Sequence, residues 1–132
     1  MSADKIAKVV GLGHIAIFVK DLERSLDFYK KLGFAETQRF ARNGGGGIAF
    51  MECGTCILEI INRPDITERP AGVVDHFCVE VTGIDELVAD LKAQGVIKEE
   101  AKVGDLTMFG GVKNIFFEGP DGERVEFFDF LK

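Results

Sequence analysis

Residues 12–33 read LGHIAIFVKDLERSLDFYKKLG, and residues 74–95 read VDHFCVEVTGIDELVADLKAQG. The two stretches align without a gap, so that His14 meets His76 and Gly33 meets Gly95. Each begins with alternating apolar residues, which predict a strand, and continues with apolar residues at helical spacing. Each ends at a glycine, which is favoured just past a helix C-terminus. The chain is therefore predicted to contain one supersecondary unit twice.

Both helices have residues suited to begin them. Asp21 precedes the first helical pattern and Thr82 precedes the second, and we expect these two side chains to be the N-caps. Three further strand-like segments follow each helix. We predict these strands over residues 35–41, 48–52, 56–61, 97–102, 112–118 and 124–130.

Turn residues separate the predicted strands. The glycine run 44–47 and Pro120-Asp121-Gly122 predict hairpin turns. Past the helices, Phe50 aligns with Phe117 and Glu59 with Glu126, so the second copy holds five additional residues. We expect these near 104–111, and we expect 62–73 to connect the copies. The prediction is an α+β fold of two βαβββ modules, about 10–62 and 73–131, within one domain spanning 1–132.

Composition excludes several classes of function. The net charge of −6 argues against a nucleic-acid partner, because such proteins usually display a basic surface. No apolar run approaches the roughly 20 residues that span a bilayer. The first residues lack a secretory apolar segment, and three cysteines fit a reduced compartment better than a disulfide framework. We therefore expect a cytoplasmic protein without a membrane partner.

Two histidines and two glutamates interrupt otherwise apolar strands. His14 and His76 lie at the first strand of each half, and Glu59 and Glu126 at the last. A single strand histidine is more often a packed, hydrogen-bonded residue than a ligand, and a single glutamate is more often exposed on a wet sheet face. Recurrence of the same pair in both repeats favours a metal site, since these are the only histidines.

Strand alternation places all four side chains on the faces away from the helices. Two-fold symmetry would bring them to one centre, either within one chain or across a dimer. Imidazole nitrogen and carboxylate oxygen suit Zn²⁺, Ni²⁺, Co²⁺, Fe²⁺ or Mn²⁺. Such a set leaves positions open for a small-molecule substrate, with a carboxylate available to move a proton.

Other motifs carry weaker signals. Cys53-Gly54-Thr55-Cys56 has the spacing of half a zinc site, but no second pair exists, and Gly-Thr suits a hairpin turn. Cys78 and Glu80 share the face of His76, where a buried thiol and a solvated carboxylate are the simpler expectations. The glycine run lacks the lysine and following helix of a phosphate-binding loop.

The stretches GHIAIFVKDLERSLDFYKKLGF, VDHFCVEV and EGPDGERVEFFDF resemble the vicinal oxygen chelate superfamily. This superfamily includes glyoxalase I, methylmalonyl-CoA epimerase, extradiol dioxygenases, and fosfomycin and bleomycin resistance proteins. The resemblance implies paired modules that form a cup-shaped, eight-stranded mixed sheet with the helices outside, often in a homodimer. Carried over by position, the metal ligands fall on His14, Glu59, His76 and Glu126.

Within the superfamily, the His-Glu-His-Glu set resembles bacterial glyoxalase I, or lactoylglutathione lyase. That resemblance implies Ni²⁺, Co²⁺ or Zn²⁺ in the site, with Fe²⁺ or Mn²⁺ as alternatives. It also implies that Glu126 transfers a proton on a hemithioacetal substrate and that Glu59 is the second catalytic carboxylate. The epimerase usually has glutamine at the place of Glu59. Phe18 occupies the position where glyoxalase I has an arginine that binds glutathione. Arg63 occupies the position of a glyoxalase I asparagine, and Asn62 lies one residue before that position.

From these positional matches and from side-chain charge, we predict five substrate-binding residues: Phe18, Asn62, Arg63, Lys113 and Asn114. Arg42 is a further candidate for an anion contact. Three classes of function stay open at this point. They are a glyoxalase I-type lyase, another metalloenzyme of this superfamily (an epimerase, a dioxygenase or an antibiotic-modifying enzyme), and a non-catalytic drug-binding resistance protein.

Overall fold

The computed structural model describes residues 7–8, 11–42, 46–65, 74 and 76–131. It contains eight strands and two α-helices in two successive βαβββ units. The first unit comprises β1 (Ile15–Val19), α1 (Leu22–Lys31), β2 (Ala35–Ala41), β3 (Gly47–Cys53) and β4 (Cys56–Asn62). The second comprises β5 (Phe77–Glu80), α2 (Ile84–Ala93), β6 (Gly104–Leu106), β7 (Val112–Glu118) and β8 (Arg124–Phe130).

The eight strands form two four-stranded mixed sheets, and the order is the same in both. One sheet runs β1-β4-β3-β2 and the other β5-β8-β7-β6. In each, the first strand pairs in parallel with the last, and the remaining neighbours are antiparallel. The predicted α+β fold of two equivalent modules is confirmed. The cup shape stays a prediction.

The two helices begin in different ways. Asp21 caps α1 as predicted, since its carboxylate accepts a hydrogen bond from the Arg24 backbone N–H at 3.1 Å. The prediction of Thr82 for α2 is wrong, because Gly83 occupies the N-cap in a left-handed conformation and has no side chain to offer. The carboxylate of Asp129 in β8 instead accepts from the Ile84 N–H at 3.1 Å.

The predicted strand over 97–102 is also wrong, since that segment forms a bend and a turn, and the edge strand is only β6. Ile97 is buried in the core, and Ala101 packs against it only partly buried. Three consecutive charged residues, Lys98, Glu99 and Glu100, break the alternation that a half-buried strand needs. The Lys92 ammonium donates to the Glu99 carbonyl at 2.9 Å and holds the turn against α2.

Each sheet has two unlike faces. The core face of the first sheet carries Ala49, Met51, Leu58 and Ile60, which are fully buried. The core face of the second carries Ile115, Phe117, Val125 and Phe127, which are buried to nearly the same degree. Phe28 of α1, the C-cap residue Leu32, and Phe77 and Val79 of β5 pack against both cores. The modules of one chain therefore meet through their core faces and helices.

Polar contacts fix this packing of the modules. The buried Tyr29 hydroxyl in α1 donates to the Glu123 carboxylate at 2.9 Å. Arg24, one turn earlier, pairs with Asp121 at 2.8 Å. Both acceptors belong to the β7–β8 hairpin, whose turn contains Gly122 at a φ of 85°. The predicted turn at Pro120-Asp121-Gly122 is confirmed.

Two other turn predictions fall partly outside the described residues, namely 44–45 of the glycine run and 66–73 of the connection between modules. On either side of the glycine run, Ala41 of β2 pairs with Gly47 of β3 in antiparallel register. Neither of the α-helices described is long and apolar enough to cross a membrane.

Candidate metal centre

The first His–Glu pair lies on the face of the first sheet opposite its core. His14 immediately precedes β1, and its Nε2 atom is 3.1 Å from Oε1 of Glu59 in β4. Phe50 of β3 lies directly opposite Glu59 in the strand register, and its ring meets the imidazole edge-on with centroids 5.7 Å apart. We call this side of each sheet, which carries the His–Glu pair, the ligand face.

The second pair repeats the first. His76 immediately precedes β5, and its Nε2 atom is 3.1 Å from Oε1 of Glu126 in β8. Phe116 lies opposite Glu126 and meets the His76 ring edge-on at 4.9 Å. This register makes Phe116 the structural counterpart of Phe50, which corrects the alignment of Phe50 with Phe117. Phe117 lies on the core face.

The two carboxylates differ in their surroundings. The Glu126 side chain is 7% exposed, and its second oxygen accepts a hydrogen bond from the Asn114 amide at 2.9 Å. The Glu59 side chain is 21% exposed. Glu126 is thus held from both sides, by His76 at one oxygen and Asn114 at the other, which fixes its orientation more firmly than that of Glu59. The predicted contact residue Asn114 therefore lies on the ligand face beside a predicted ligand.

The geometry of each pair suits a divalent ion. Two donors that are each about 2.1 Å from a metal and subtend roughly 95° at it are about 3.1 Å apart. Both Nε2–Oε1 distances have this value. An imidazole and a carboxylate also form a donor set that borderline transition-metal ions accept. Each pair therefore fits two neighbouring positions of one coordination sphere.

The four residues do not meet in one chain. Across 11–42, 46–65 and 76–131, together with the other described residues, no three His, Cys, Asp or Glu side chains lie close enough to hold one ion. Each pair lies on the face of its sheet opposite the core through which the modules pack. A single centre within one chain, one of the two arrangements that the sequence left open, is not formed.

The described chain also has two cavities outside the His–Glu pairs. One, of about 590 Å³, lies between α1 and the second module and includes Phe28, Arg24 and Phe117 in its lining. The other, of about 660 Å³, lies between the β3–β4 hairpin and β5, with Leu87 of α2 also in its lining. None of the four predicted ligands lines either cavity.

Each ligand face also carries an arginine over an aromatic ring. The Arg63 guanidinium lies 5.1 Å from the centre of the Phe18 ring, and that of Arg124 lies 4.9 Å from the centre of the Phe116 ring. Arg63 is in addition paired with Asp65 at 3.1 Å. Sequence reasoning missed Arg124, although its position two residues before Glu126 gives it the same face on strand alternation.

Three other predicted contacts have structural partners instead. The Asn62 amide donates to the carbonyls of Val19 and Lys20, at 3.3 and 3.0 Å, and ties the end of β4 to the end of β1. Lys113 lies on the core side of β7 and pairs with Asp85 of α2 at 2.9 Å. Arg42 donates to the Asn62 carbonyl at 2.9 Å. None of these three is brought to a His–Glu pair.

Cys78 lies on the ligand face of β5, in register with Glu126. It is exposed, contrary to the expectation of a buried thiol. Partial burial of the sulfur and then the negative charge of Glu126 raise the pKa of the Cys78 thiol to about 11. This thiol is therefore protonated near neutral pH. Glu80 is exposed at the end of the same strand, as expected.

Comparison with known proteins gives a consistent family. The model of the Glyoxalase/Bleomycin resistance protein/Dioxygenase superfamily matches residues 11–127. The mitochondrial methylmalonyl-CoA epimerases of Homo sapiens and Bos taurus are 30% and 32% identical to this chain over 105 residues. The match covers 70% of this chain and 60% of each epimerase. The chain thus spans less than two thirds of the length of these curated relatives.

Solved structures share the fold. A glyoxalase family protein from Enterococcus faecalis superposes with a TM-score of 0.75 at 29% identity, over 90% of this chain and 97% of that one. A variant of the fosfomycin resistance protein from Listeria monocytogenes, complexed with Mn(II) and 1S,2S-dihydroxypropylphosphonic acid, gives a TM-score of 0.70 at 20% identity, over 91% and 92% of the two chains. The second likeness shows the fold alone.

Proposed function

The chain belongs to the glyoxalase/bleomycin resistance protein/dioxygenase superfamily, and from this membership and its two His–Glu pairs we propose that it is a metalloenzyme catalysing proton transfer on a substrate with neighbouring oxygens. The observation that carries the proposal is the recurrence of one geometry, an Nε2–Oε1 distance of 3.1 Å, at equivalent places in both modules. His14, Glu59, His76 and Glu126 would hold the ion, with Ni²⁺, Co²⁺, Zn²⁺ and Mn²⁺ as candidates.

The proposed chemistry is removal of a proton from a carbon beside a carbonyl and its return to the same or a neighbouring carbon. Such a step requires a positioned base and stabilisation of the oxygen that gains negative charge. A bound divalent ion would supply the second as a Lewis acid. Glu126 is the proposed base, because Asn114 and His76 fix its carboxylate in a nearly water-free position. Glu59, which is more exposed, is the proposed second carboxylate.

We propose that the complete centre forms between two copies of the chain. In a symmetric dimer, His14 and Glu59 of one copy would meet His76 and Glu126 of the other, twice. Large apolar side chains exposed on the ligand faces support such an interface. They include Phe18, Phe40, Phe116 and Phe130, each more than a third exposed in the single chain.

Two substrate classes suit the proposed reaction. The glutamate at position 59 favours a hemithioacetal, as in the glyoxalase I-type reaction predicted from the sequence. The names of the curated relatives favour epimerisation of a 2-methyl-malonyl thioester. Glutathione itself is a poor fit as the thiol, because Phe18 is apolar and the Asn62 amide is occupied by backbone carbonyls.

Mixing two inactive variants tests the proposed assembly and the proposed chemistry together. His14→Ala and His76→Ala are each expected to lose bound metal and proton transfer, measured as deuterium incorporation from D₂O into methylmalonyl-CoA and into a methylglyoxal–thiol adduct. After the two are unfolded and refolded together, half of the dimers would be mixed, each with one intact centre. Activity should then return to about a quarter of wild type.

The outcomes separate the two parts of the proposal. No recovery, with wild type active, would refute a centre shared between copies but leave the reaction standing. Wild type that binds metal but exchanges no deuterium with either substrate would refute the reaction. Glu126→Gln is the matched variant for the base, since it preserves shape and should keep most of the bound metal while losing exchange.

A further inference from the structure

Cys53 and Cys56 face each other across the tightest turn of the first module. Cys53 ends β3, Cys56 begins β4, and the strand register pairs the two residues directly. Only Gly54 and Thr55 separate them. Gly54 has a φ of 59°, which suits the first central position of a two-residue hairpin turn.

This placement brings the two Cα atoms within the separation that a disulfide spans. Residues that flank a two-residue turn exchange both of their backbone hydrogen bonds, and their Cα atoms are then about 5.5 Å apart. Disulfides form between residues whose Cα atoms are roughly 4.4–6.8 Å apart. Both side chains continue the core face of their strands, where they pack at the edge of the first core. Burial first, and then the proximity of Cys53, raise the pKa of the Cys56 thiol above its usual value.

The pair is open to small molecules. Both cysteines are only partly buried, and both line the cavity of about 660 Å³ beside α2. Cys78, Glu80 and Leu87 also line this cavity, so it has polar and apolar walls and a third thiol. The cysteines lie on the core face, whereas Glu59 of the same strand points to the ligand face. Cys53 and Cys56 therefore lie on the opposite face of their sheet from Glu59, although Cys78 of the ligand face of β5 lines the same cavity.

We propose that Cys53 and Cys56 form a reversible dithiol–disulfide site whose oxidant is a low-molecular-weight disulfide. One thiolate attacks a sulfur of the small disulfide, forms a mixed disulfide and releases one small thiol. The second cysteine then attacks the protein-side sulfur, closes the Cys53–Cys56 bond and releases the other small thiol. Two electrons pass from the dithiol to the small disulfide, and each cysteine loses one proton.

The test uses 2-hydroxyethyl disulfide on the full chain in a Cys78→Ser background, which leaves only the two cysteines of the pair. Cleavage after glutamate releases residues 53–59, which contain both cysteines. The expected peptide is lighter by two hydrogens, carries no adduct, and regains its mass on reduction. With Cys53→Ser or Cys56→Ser added, the remaining thiol should instead retain one hydroxyethylthio adduct.

Three results would overturn the proposal. They are stable adducts on both cysteines of the pair, a disulfide between two chains, and a peptide unchanged in mass while the single-cysteine variants accept the adduct. A peptide unchanged in every variant would overturn it as well, because it would show that the cavity does not admit the oxidant.

Discussion

The pKa of Tyr29 tests whether the two modules of one chain pack against each other through α1 and the β7–β8 hairpin. Tyr29 is fully buried, and its hydroxyl donates to the Glu123 carboxylate of the other module. Burial first, and then the charge of Glu123, raise the Tyr29 pKa well above its usual value near 10. The folded state therefore holds this proton more tightly than the unfolded chain does.

The sign of the pH effect follows from that difference. The stabilisation is fully present below about pH 10, where tyrosine is protonated in both states, and is lost as pH rises towards the folded-state pKa. In that window the contribution of Tyr29 to the free energy of unfolding should fall by about 1.4 kcal/mol per pH unit. Tyr29→Phe should lack this slope and should cost about 1.5–3 kcal/mol near neutral pH, because it removes a hydrogen bond to a charged group.

The assay is direct because Tyr29 is the only tyrosine and the chain has no tryptophan. The tyrosinate absorption band therefore reports one group, and urea unfolding at several pH values compares wild type with Tyr29→Phe. Glu123→Gln is the matched control, since it removes the charge but keeps the burial; the Tyr29 pKa should fall towards, but not reach, its usual value. Titration of folded wild type near pH 10 would refute this packing of the modules.

Three further variants probe the ligand faces and their supports. Asp129→Ala removes the acceptor for the Ile84 N–H at the start of α2 and should lower the free energy of unfolding by about 1 kcal/mol in urea, without changing metal affinity. Asn114→Leu removes the amide that orients Glu126 and should weaken metal binding roughly 10- to 100-fold by calorimetry, while an unchanged affinity would contradict its positioning role. Arg124→Met removes the contact with the Phe116 ring and should lower the free energy of unfolding by about 0.5–1 kcal/mol at moderate salt. An unchanged free energy of unfolding would show that this contact does not contribute to stability.

The fold was predictable because local and repeated signals agreed. Alternation fixed the faces of β1, β4, β5 and β8, and the duplication made each weak strand assignment support its partner. The errors arose where a tertiary contact replaced a local one. Asp129, distant in sequence, performs the capping role assigned to Thr82. A sequence alignment also cannot show that the β7–β8 turn shifts the register, which puts Phe116 rather than Phe117 opposite a glutamate.

The pairing of each histidine with its glutamate was predictable for the same reason. The arrangement of the two His–Glu pairs relative to each other was not predictable. Alternation places Glu59 on the face opposite Leu58 and Ile60, whichever way the modules pack. It does not determine which surface of one module meets the other, because that choice depends on contacts between distant residues such as Tyr29 and Glu123. Such contacts between distant residues leave no periodicity or motif in the sequence from which they could be predicted.

Packing through the core faces has a direct consequence for the proposed centre. Leu58 and Ile60 are buried beneath α1 and its neighbours. The opposite face of the same sheet, with Glu59 and several exposed phenylalanines, is left uncovered by the described part of the chain. An imidazole and a carboxylate alone leave most of the coordination sphere of an ion to water, which gives weak binding. A second copy could supply both missing ligands and bury the phenylalanines in one step. Metal binding and dimerisation should therefore be coupled, with metal affinity rising as protein concentration passes through the dimer dissociation constant.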